Sequence, residues 1–164
     1  MTRPKRRRES KTDYRKRIVL LTGGKPRIVC RKTNKYIIGQ YVESREAKDK
    51  VIVGIDSREL LKYGWPESAR GSLKSLPACY LTGLLLGKKV ADIKDKAEGV
   101  FDMGLLRNVP KSRAYAFLKG VIDAGIDAKA KEEIFPEEGR LKGSHLKNKI
   151  DIEKIKGKIN QKFV

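Results

Sequence analysis

Three aspartates are the candidate catalytic residues for a reaction on a nucleic acid. Asp56 and Asp102 fall at or near predicted strands, and Asp123 lies near the end of a predicted helix. Converging carboxylates can hold Mg²⁺ for phosphodiester hydrolysis, which makes a metal-dependent nuclease one hypothesis. The same residues have ordinary uses, because Asp56 can cap a helix and Asp123 can bond locally near Gly125. Only their separation in space distinguishes the two interpretations.

The other candidate catalytic groups form no site. The segment GLLLGKK (83–89) has three residues between its glycines and no Ser or Thr after its lysines, unlike a phosphate-binding loop. His145, the single histidine, lies in a charged segment and is expected to be solvated or to contact an RNA backbone. Cys30 and Cys79 are expected to be small buried side chains rather than nucleophiles. We therefore expect no cofactor, and no metal unless the aspartates converge.

Residues 1–35 concentrate the positive charge of the chain. They contain 14 basic and 2 acidic residues, a net charge of +12, while the whole chain carries +19. Such a segment repels itself and is expected to be poorly ordered until a counter-charge binds. Tyr14, Tyr36 and Tyr41 lie among the cations and could stack on bases while Lys and Arg bind phosphates. The pattern predicts a nucleic-acid-binding arm, with a solubilising tail or a localisation signal as alternatives.

Length and composition limit the classes of protein that fit. With 164 residues, 39% of them hydrophobic, the chain suits one domain with a real core. Its longest apolar run is far shorter than the ~18 residues that a membrane span needs. Two cysteines make no disulfide framework, so a reducing compartment and an intracellular protein are expected. An anionic membrane is therefore a weaker candidate partner than a nucleic acid.

Hydrophobic periodicity predicts a mixed α/β fold. Residues 1–12 lack periodicity and are predicted to be extended, and a helix follows from Thr12 or Asp13 to Gly23 and Gly24. The remaining predictions are strands at 26–33, 36–43, 51–56, 99–105 and 126–130, and helices at 57–63, from Ser75 and from Ser112 to Gly125. The first three strands should form an antiparallel meander that begins a mixed sheet, with helices packed on it.

This pattern divides the chain into three parts. Residues 1–25 are the basic arm and a short helix, residues 26–134 are the mixed α/β core, and residues 135–164 are a basic helical extension. In the extension, Leu146, Ile150, Ile155, Ile159 and Phe163 predict one or two amphipathic helices, with Asp151 as a cap. The extension could pack on the core or present a second surface to RNA or to a partner.

Five blocks of the sequence resemble one family. They are KRRRESKTDYRKR (5–17), GKPRIVCRKTNKYI (24–37), YLTGLLLGKK (80–89), GVFDMGLLR (99–107) and AFLKGVIDAGID (116–127). In this order they are similar to the universal large-subunit ribosomal protein that binds 5S rRNA, of the bacterial L-eighteen and eukaryotic L-five type. KYGW (62–65) and RLKGSHL (140–146) resemble its archaeal and eukaryotic branch. Residues 67–75 match poorly, and the long eukaryotic extension is absent.

The resemblance implies a structural protein of the large ribosomal subunit in the cytoplasm, without catalysis. It implies that 5S rRNA is bound and attached to the large-subunit rRNA in the central protuberance. Neighbouring ribosomal proteins, including the other 5S rRNA-binding protein, would be further partners, with no membrane and no small-molecule substrate. The implied RNA contacts lie in the basic arm and the start of the sheet: Arg3, Lys5, Arg6, Arg7, Arg8, Lys11, Tyr14, Arg15, Arg17, Lys25, Arg27, Arg31, Lys32, Asn34 and Lys35.

Overall fold

The fold is a four-stranded mixed sheet with helices packed on one face. The computed structural model describes residues 5–94, 97–144, 146 and 150–163, so Arg3 and His145 lie outside the described residues. Its helices are α1 Lys5–Arg8, α2 Tyr14–Thr22, α3 Leu76–Ala91, α4 Arg113–Asp123, α5 Glu138–Leu141 and α6 Ile152–Lys162, with 3₁₀ helices at Ser57–Tyr63, Glu67–Ser72 and Glu132–Ile134. Its strands are β1 Arg27–Lys32, β2 Ile37–Arg45, β3 Lys48–Asp56 and β4 Val100–Asp102.

The sheet begins with the predicted antiparallel meander. Its strand order is β3-β2-β1-β4, and β4 is parallel to β1. The second hairpin is longer than predicted, because Arg45 already pairs with Lys48 across a turn at Glu46 and Ala47. The sequence signal was missing there because the hairpin end is exposed on both faces and therefore carries no apolar alternation.

One face of the sheet packs against α3 and α4. Ile28, Cys30 and Tyr41 point to this face and are almost completely buried. Gly39 lets the ring of Phe117 approach β2, since a Cβ atom there would lie 2.6 Å from the ring. The mixed α/β class is confirmed, and the apolar stripes predicted for α3 and α4 form the centre of the core.

Three local predictions differ from the structure. Residues 126–130 form no strand, because only Asp127 makes a single bridge, to Glu98. The strand predicted at 99–105 is reduced to β4, where Val100 is 37% exposed because it lies at the sheet edge. Residues 5–8 form one helical turn rather than an extended chain.

The C-terminal helix α6 packs on the core. Ile152, Ile155 and Ile159 are buried, and the side chain of Asp151 accepts a hydrogen bond from the backbone N–H of Lys154, as a helix cap does. Within the described part of the chain, no helix is long and apolar enough to span a membrane.

Candidate nucleic-acid interface

A cleft between the N-terminal helices and the sheet face opposite α3 and α4 is lined by six of the fifteen predicted contact residues. We call it the N-terminal cleft; its volume is about 440 Å³. The basic residues that line it are Arg6, Lys11, Lys16, Arg17, Arg27 and Arg31, together with Asp13, Asp49 and Asp102. Cations therefore outnumber carboxylates two to one along its wall, which favours an anionic ligand.

Helix α2 is positioned by polar contacts rather than by the core. Asp13 caps it, since one carboxylate oxygen accepts from the backbone N–H groups of Arg15 at 3.0 Å and Lys16 at 3.2 Å. None of its residues is buried, and Ile18 and Val19 are 61% and 69% exposed. An ion pair of 2.9 Å between Arg17 and Asp49 joins the helix to the β2–β3 hairpin. The cleft is thus bounded by a lightly held helix.

Arg27 is the centre of a buried ion-pair network at the floor of the cleft. Its guanidinium lies 2.7 Å from a carboxylate oxygen of Asp49 and 3.1 Å from one of Asp102, and it donates to the hydroxyl of Ser44. Arg27 is only 4% exposed. The network therefore ties together β1, the β2–β3 hairpin and β4, which lie side by side only in the folded sheet.

The burial of Arg27 corrects one sequence-based prediction. A guanidinium that already holds two carboxylates inside the protein has no free face for an RNA phosphate. Opening it would leave a buried charge unpaired, which typically costs about 3–5 kcal/mol. Arg27 is a structural residue beneath the cleft rather than one of its RNA contacts.

Because of this network, the stability of the fold should decrease at acid pH as Asp49 becomes protonated. Burial opposes ionisation of Asp49, but hydrogen bonds from Ser44, Arg17 and Arg27 outweigh it and lower the pKa of its carboxyl to about 2. This folded-state pKa lies below the unfolded value of about 3.9. The ionised Asp49 carboxylate therefore contributes its full stabilisation of the fold above about pH 4, and this stabilisation is lost as the pH falls from about 4 to about 2.

We expect Asp49→Asn to lower the free energy of unfolding by about 1–3 kcal/mol at pH 7, since it removes the ion pairs of Asp49 with Arg17 of α2 and Arg27 of β1. The difference from wild type should shrink as the pH falls to 2, where Asp49 is protonated in both states. Urea titrations followed by circular dichroism at several pH values would measure this. Asp92→Asn, at the exposed end of α3, is the control. A difference that does not vary with pH would contradict the role of the Asp49 carboxylate.

The three aspartates of the nuclease hypothesis each have a separate structural partner. Asp56 caps the 3₁₀ helix Ser57–Tyr63 and pairs with Arg58, while Asp102 binds Arg27. Asp123 accepts a hydrogen bond of 2.9 Å from the hydroxyl of Tyr80. Among the described residues, no group of three or more His, Cys, Asp or Glu is arranged to hold a metal ion. The nuclease alternative is therefore not supported.

The remaining predicted contacts lie around the cleft or beside it. Lys5, Arg7 and Arg8 are exposed on α1, and Arg15 is exposed on α2. Arg31 extends over the turn after β4, because a Cβ atom at Gly104 would lie 2.1 Å from its guanidinium. Asn34 and Lys35 are exposed in the turn between β1 and β2.

Two of the predicted cations, Lys25 and Lys32, are not free cations of the N-terminal cleft. Lys25 donates a hydrogen bond of 2.5 Å to Glu98, and this contact raises the pKa of its ammonium. Lys32 follows Arg31 on β1 and so points to the opposite face of the sheet, away from the N-terminal cleft. The predicted pair Arg31 and Lys32 is therefore split between two surfaces.

The predicted base-stacking tyrosines are also divided by the fold. Tyr41 is 1% exposed and donates to the backbone carbonyl of Glu98, so the prediction that it stacks on bases is wrong. The ring of Tyr36 is covered by the guanidinium of Arg58, 4.8 Å from its centroid. Tyr14 is half-buried and lines the N-terminal cleft. Tyr14 is the one of the three that is placed beside the cleft cations.

The cysteines are buried, as expected. Burial raises the pKa of the Cys30 thiol to about 12 and that of Cys79 further, so neither is a thiolate at neutral pH.

Sequence reasoning missed Lys16 as a cleft residue. Its signal was available, because position 16 lies on the same turn of the capped helix as the predicted contacts Arg15 and Arg17.

The sequence of the chain is similar to those of known ribosomal proteins. The family described as "Ribosomal large subunit proteins 60S L5, and 50S L18" matches residues 1–99. The chain belongs to this family. The large ribosomal subunit protein uL18 of Korarchaeum cryptofilum (strain OPF8) is 43% identical over 159 residues, which cover 97% of this chain and 79% of the relative. The predicted family is thereby confirmed.

Membership of the family establishes the general role of the chain. It is a structural protein of the large subunit, it associates with ribosomal RNA, and it is located in the cytoplasmic ribosome. The 99 matched residues contain α1, α2, the meander and α3. They therefore include all the residues that line the N-terminal cleft except Asp102, Gly104 and Leu105, which lie in β4 and the turn after it.

Proposed function

We propose that the chain binds 5S rRNA and helps to attach it to the large-subunit rRNA in the central protuberance, without catalysing a reaction. The observation that carries the proposal is the N-terminal cleft, where five cations other than Arg27 face a space bounded by α1, α2 and the sheet. A groove with this charge binds a polyanion through its phosphates, and guanidinium groups suit paired phosphate oxygens. The family supplies the kind of polyanion, which is ribosomal RNA.

The proposed contact set is the predicted set, changed at two positions by what the structure shows. It contains the predicted residues other than the buried Arg27, with Lys16 added: Arg3, Lys5, Arg6, Arg7, Arg8, Lys11, Tyr14, Arg15, Lys16, Arg17, Lys25, Arg31, Lys32, Asn34 and Lys35. The proposed division is an RNA-binding arm at 1–25, a core at 26–134 and an extension at 135–164. The extension is proposed to meet neighbouring ribosomal proteins, among them the other 5S rRNA-binding protein.

Discrimination between RNAs of equal length tests the proposal. We expect the full chain to bind 5S rRNA at least about 10²-fold more tightly than a scrambled RNA of the same length at 0.15 M salt, because a shaped groove reads RNA geometry as well as charge. Filter binding across a salt series measures both affinities. Equal affinities at every salt concentration would show a general polycation and would contradict the assignment to 5S rRNA.

A further inference from the structure

A second cleft lies where β1 ends and α3 and α4 begin. Its volume is about 630 Å³, and it shares no lining residue with the N-terminal cleft. Lys32 lies at its edge, because it points to the sheet face opposite that of Arg31. We call it the helix-terminus cleft. Apart from Lys32, the groups that would hold a ligand here are therefore not among the contacts proposed for 5S rRNA.

The beginnings of two helices meet in this cleft. Ser75 is the cap residue of α3 and Ser112 that of α4, and both line the cleft. The first backbone N–H groups of an α-helix have no partner within the helix, and they carry partial positive charge. Two such helix ends side by side provide donors for an anion.

Two buried hydroxyl groups in the wall are unpaired. The Oγ atoms of Ser75 and Ser112 are buried, and neither has a hydrogen-bond partner among the described residues. Neither serine caps its own helix through its side chain. Leaving a buried hydroxyl without a partner is unfavourable, so such groups usually bind water or an ion. Because a serine hydroxyl turns about a single bond, each can rotate toward a ligand in the cleft.

The charges around the cleft are all of one sign. Lys32, Arg107, Lys111, Arg113 and Arg140 line it, and no Asp or Glu of the described residues does. Lys111 pairs with Glu137 at 2.9 Å, whereas the other four form no ion pair within the part of the chain that the structure describes. Unpaired cations repel one another, and a bound anion removes that repulsion.

We propose that the helix-terminus cleft binds phosphates of a ribosomal RNA strand. The helix ends and serine hydroxyls hold one phosphate, and the arginines hold its neighbours along the strand. Four unpaired cations exceed what one free phosphate neutralises, so a strand with successive phosphates matches the cleft better than inorganic phosphate does. The proposal rests on the association of the chain with ribosomal RNA, and it does not require that this RNA be 5S rRNA.

The first arm of the test detects the phosphate site in the free protein. Titration of the full chain with inorganic phosphate, followed by amide NMR, should shift the signals of Ala78, Arg113 and Tyr115, which lie in the first turns of α3 and α4. The shifts should be at least several-fold smaller in the double variant Arg107→Gln/Arg113→Gln. Shifts spread evenly over the basic surface, or unaltered in the variant, would overturn the site.

The second arm measures RNA binding by the same variant. Arg107→Gln/Arg113→Gln should weaken binding about 10-fold or more and reduce the slope of log affinity against log salt by about 1 to 2. The control is Lys62→Gln/Lys158→Gln, which removes two exposed charges that line neither cleft. Losses equal to those of the control would overturn the proposal.

The two arms separate this proposal from the assignment to 5S rRNA. Binding is measured with 5S rRNA and, separately, with transcripts of large-subunit rRNA domains. If wild type does not distinguish 5S rRNA but the double variant still loses affinity for a large-subunit transcript, the 5S assignment fails and the cleft stands. If wild type selects 5S rRNA while the double variant matches the control with every RNA, the cleft fails and the 5S assignment stands.

Discussion

Replacing Lys5, Arg6, Arg7 and Arg8 with glutamine is expected to weaken binding to 5S rRNA by about 10²–10³-fold at 0.15 M salt. All four side chains are exposed on α1, and α1 contributes no buried residue. Each cation that neutralises a phosphate releases a counterion, so the slope of log affinity against log salt should fall by about 3 to 4. Filter binding between 50 and 300 mM salt would measure both quantities.

The stability of this quadruple variant should be unchanged. The core begins at β1, and α1 reaches the remainder of the structure through contacts such as the hydrogen bond of 2.8 Å from Arg6 to the hydroxyl of Thr12. The control variant replaces four exposed cations elsewhere, Lys62, Lys129, Lys131 and Lys158, with glutamine. It has the same net charge but should retain most of the affinity. An equal loss in both variants would show that only the total charge matters, and a lower melting temperature in the first would make α1 a structural element.

Neutralisation is a sharper test than deletion of residues 1–17. Deletion would also remove the Asp13 cap of α2 and the ion pair between Arg17 and Asp49. Since Asp49 also holds the buried Arg27, a loss of affinity after deletion could come from a disturbed sheet. The four substitutions leave the cap and the network intact, so apart from the hydrogen bond of Arg6 to Thr12 they change only the proposed phosphate contacts.

The elements that could be predicted from sequence are those whose signals are local. The cap at Asp13, the helix at 57–63 and the apolar stripe of α4 each depend on residues within a few positions of one another. The meander was predictable for the same reason, because its first turn is short and its strands alternate. The exposed end of the second hairpin had no such alternation, and its length was underestimated.

The errors in the candidate site come from contacts between distant residues. Arg27 has the same local sequence character as Arg31, and both lie on the same face of β1. Asp102, 75 residues later in the chain, pairs with Arg27 because β4 lies beside β1. Tyr41 is buried for a related reason, since it points to the sheet face that α3 and α4, much later in the chain, cover. A basic segment can thus be recognised from composition, but which cations remain free depends on the carboxylates that folding brings to them.

The helix-terminus cleft could not be predicted from the sequence either, because its residues come together only in the fold. Lys32 belongs to the basic segment 1–35, but Arg107 and Arg113 lie outside it, 75 and 81 positions further along the chain. The caps at Ser75 and Ser112 could be predicted as helix starts, but not as neighbours. Their proximity depends on how closely α3 and α4 pack.

Gly120→Ala is expected to be the most destabilising single substitution discussed for this chain, because α3 and α4 touch backbone to backbone. A Cβ atom at Gly120 would lie 2.0 Å from the carbonyl oxygen of Tyr80, and one at Gly83 would lie 2.0 Å from that of Phe117. Neither obstacle is the flexible end of a side chain, so the helices must separate to admit a methyl group. Overpacking that moves the backbone costs about 3 kcal/mol or more, and the Tm should fall by about 6–12 °C.

Gly157→Ala is the matched control, since Gly157 lies within α6 and a Cβ atom there meets nothing within 4 Å. The same chemical change should stabilise the chain by about 0.5–1 kcal/mol, because alanine favours the helix. Thermal unfolding followed by circular dichroism would compare the two. If Gly120→Ala melted like wild type, the close approach of α3 and α4 would be wrong. The inferred proximity of Ser75 and Ser112 would then be wrong as well. The N-terminal cleft lies on the other face of the sheet and would be unaffected.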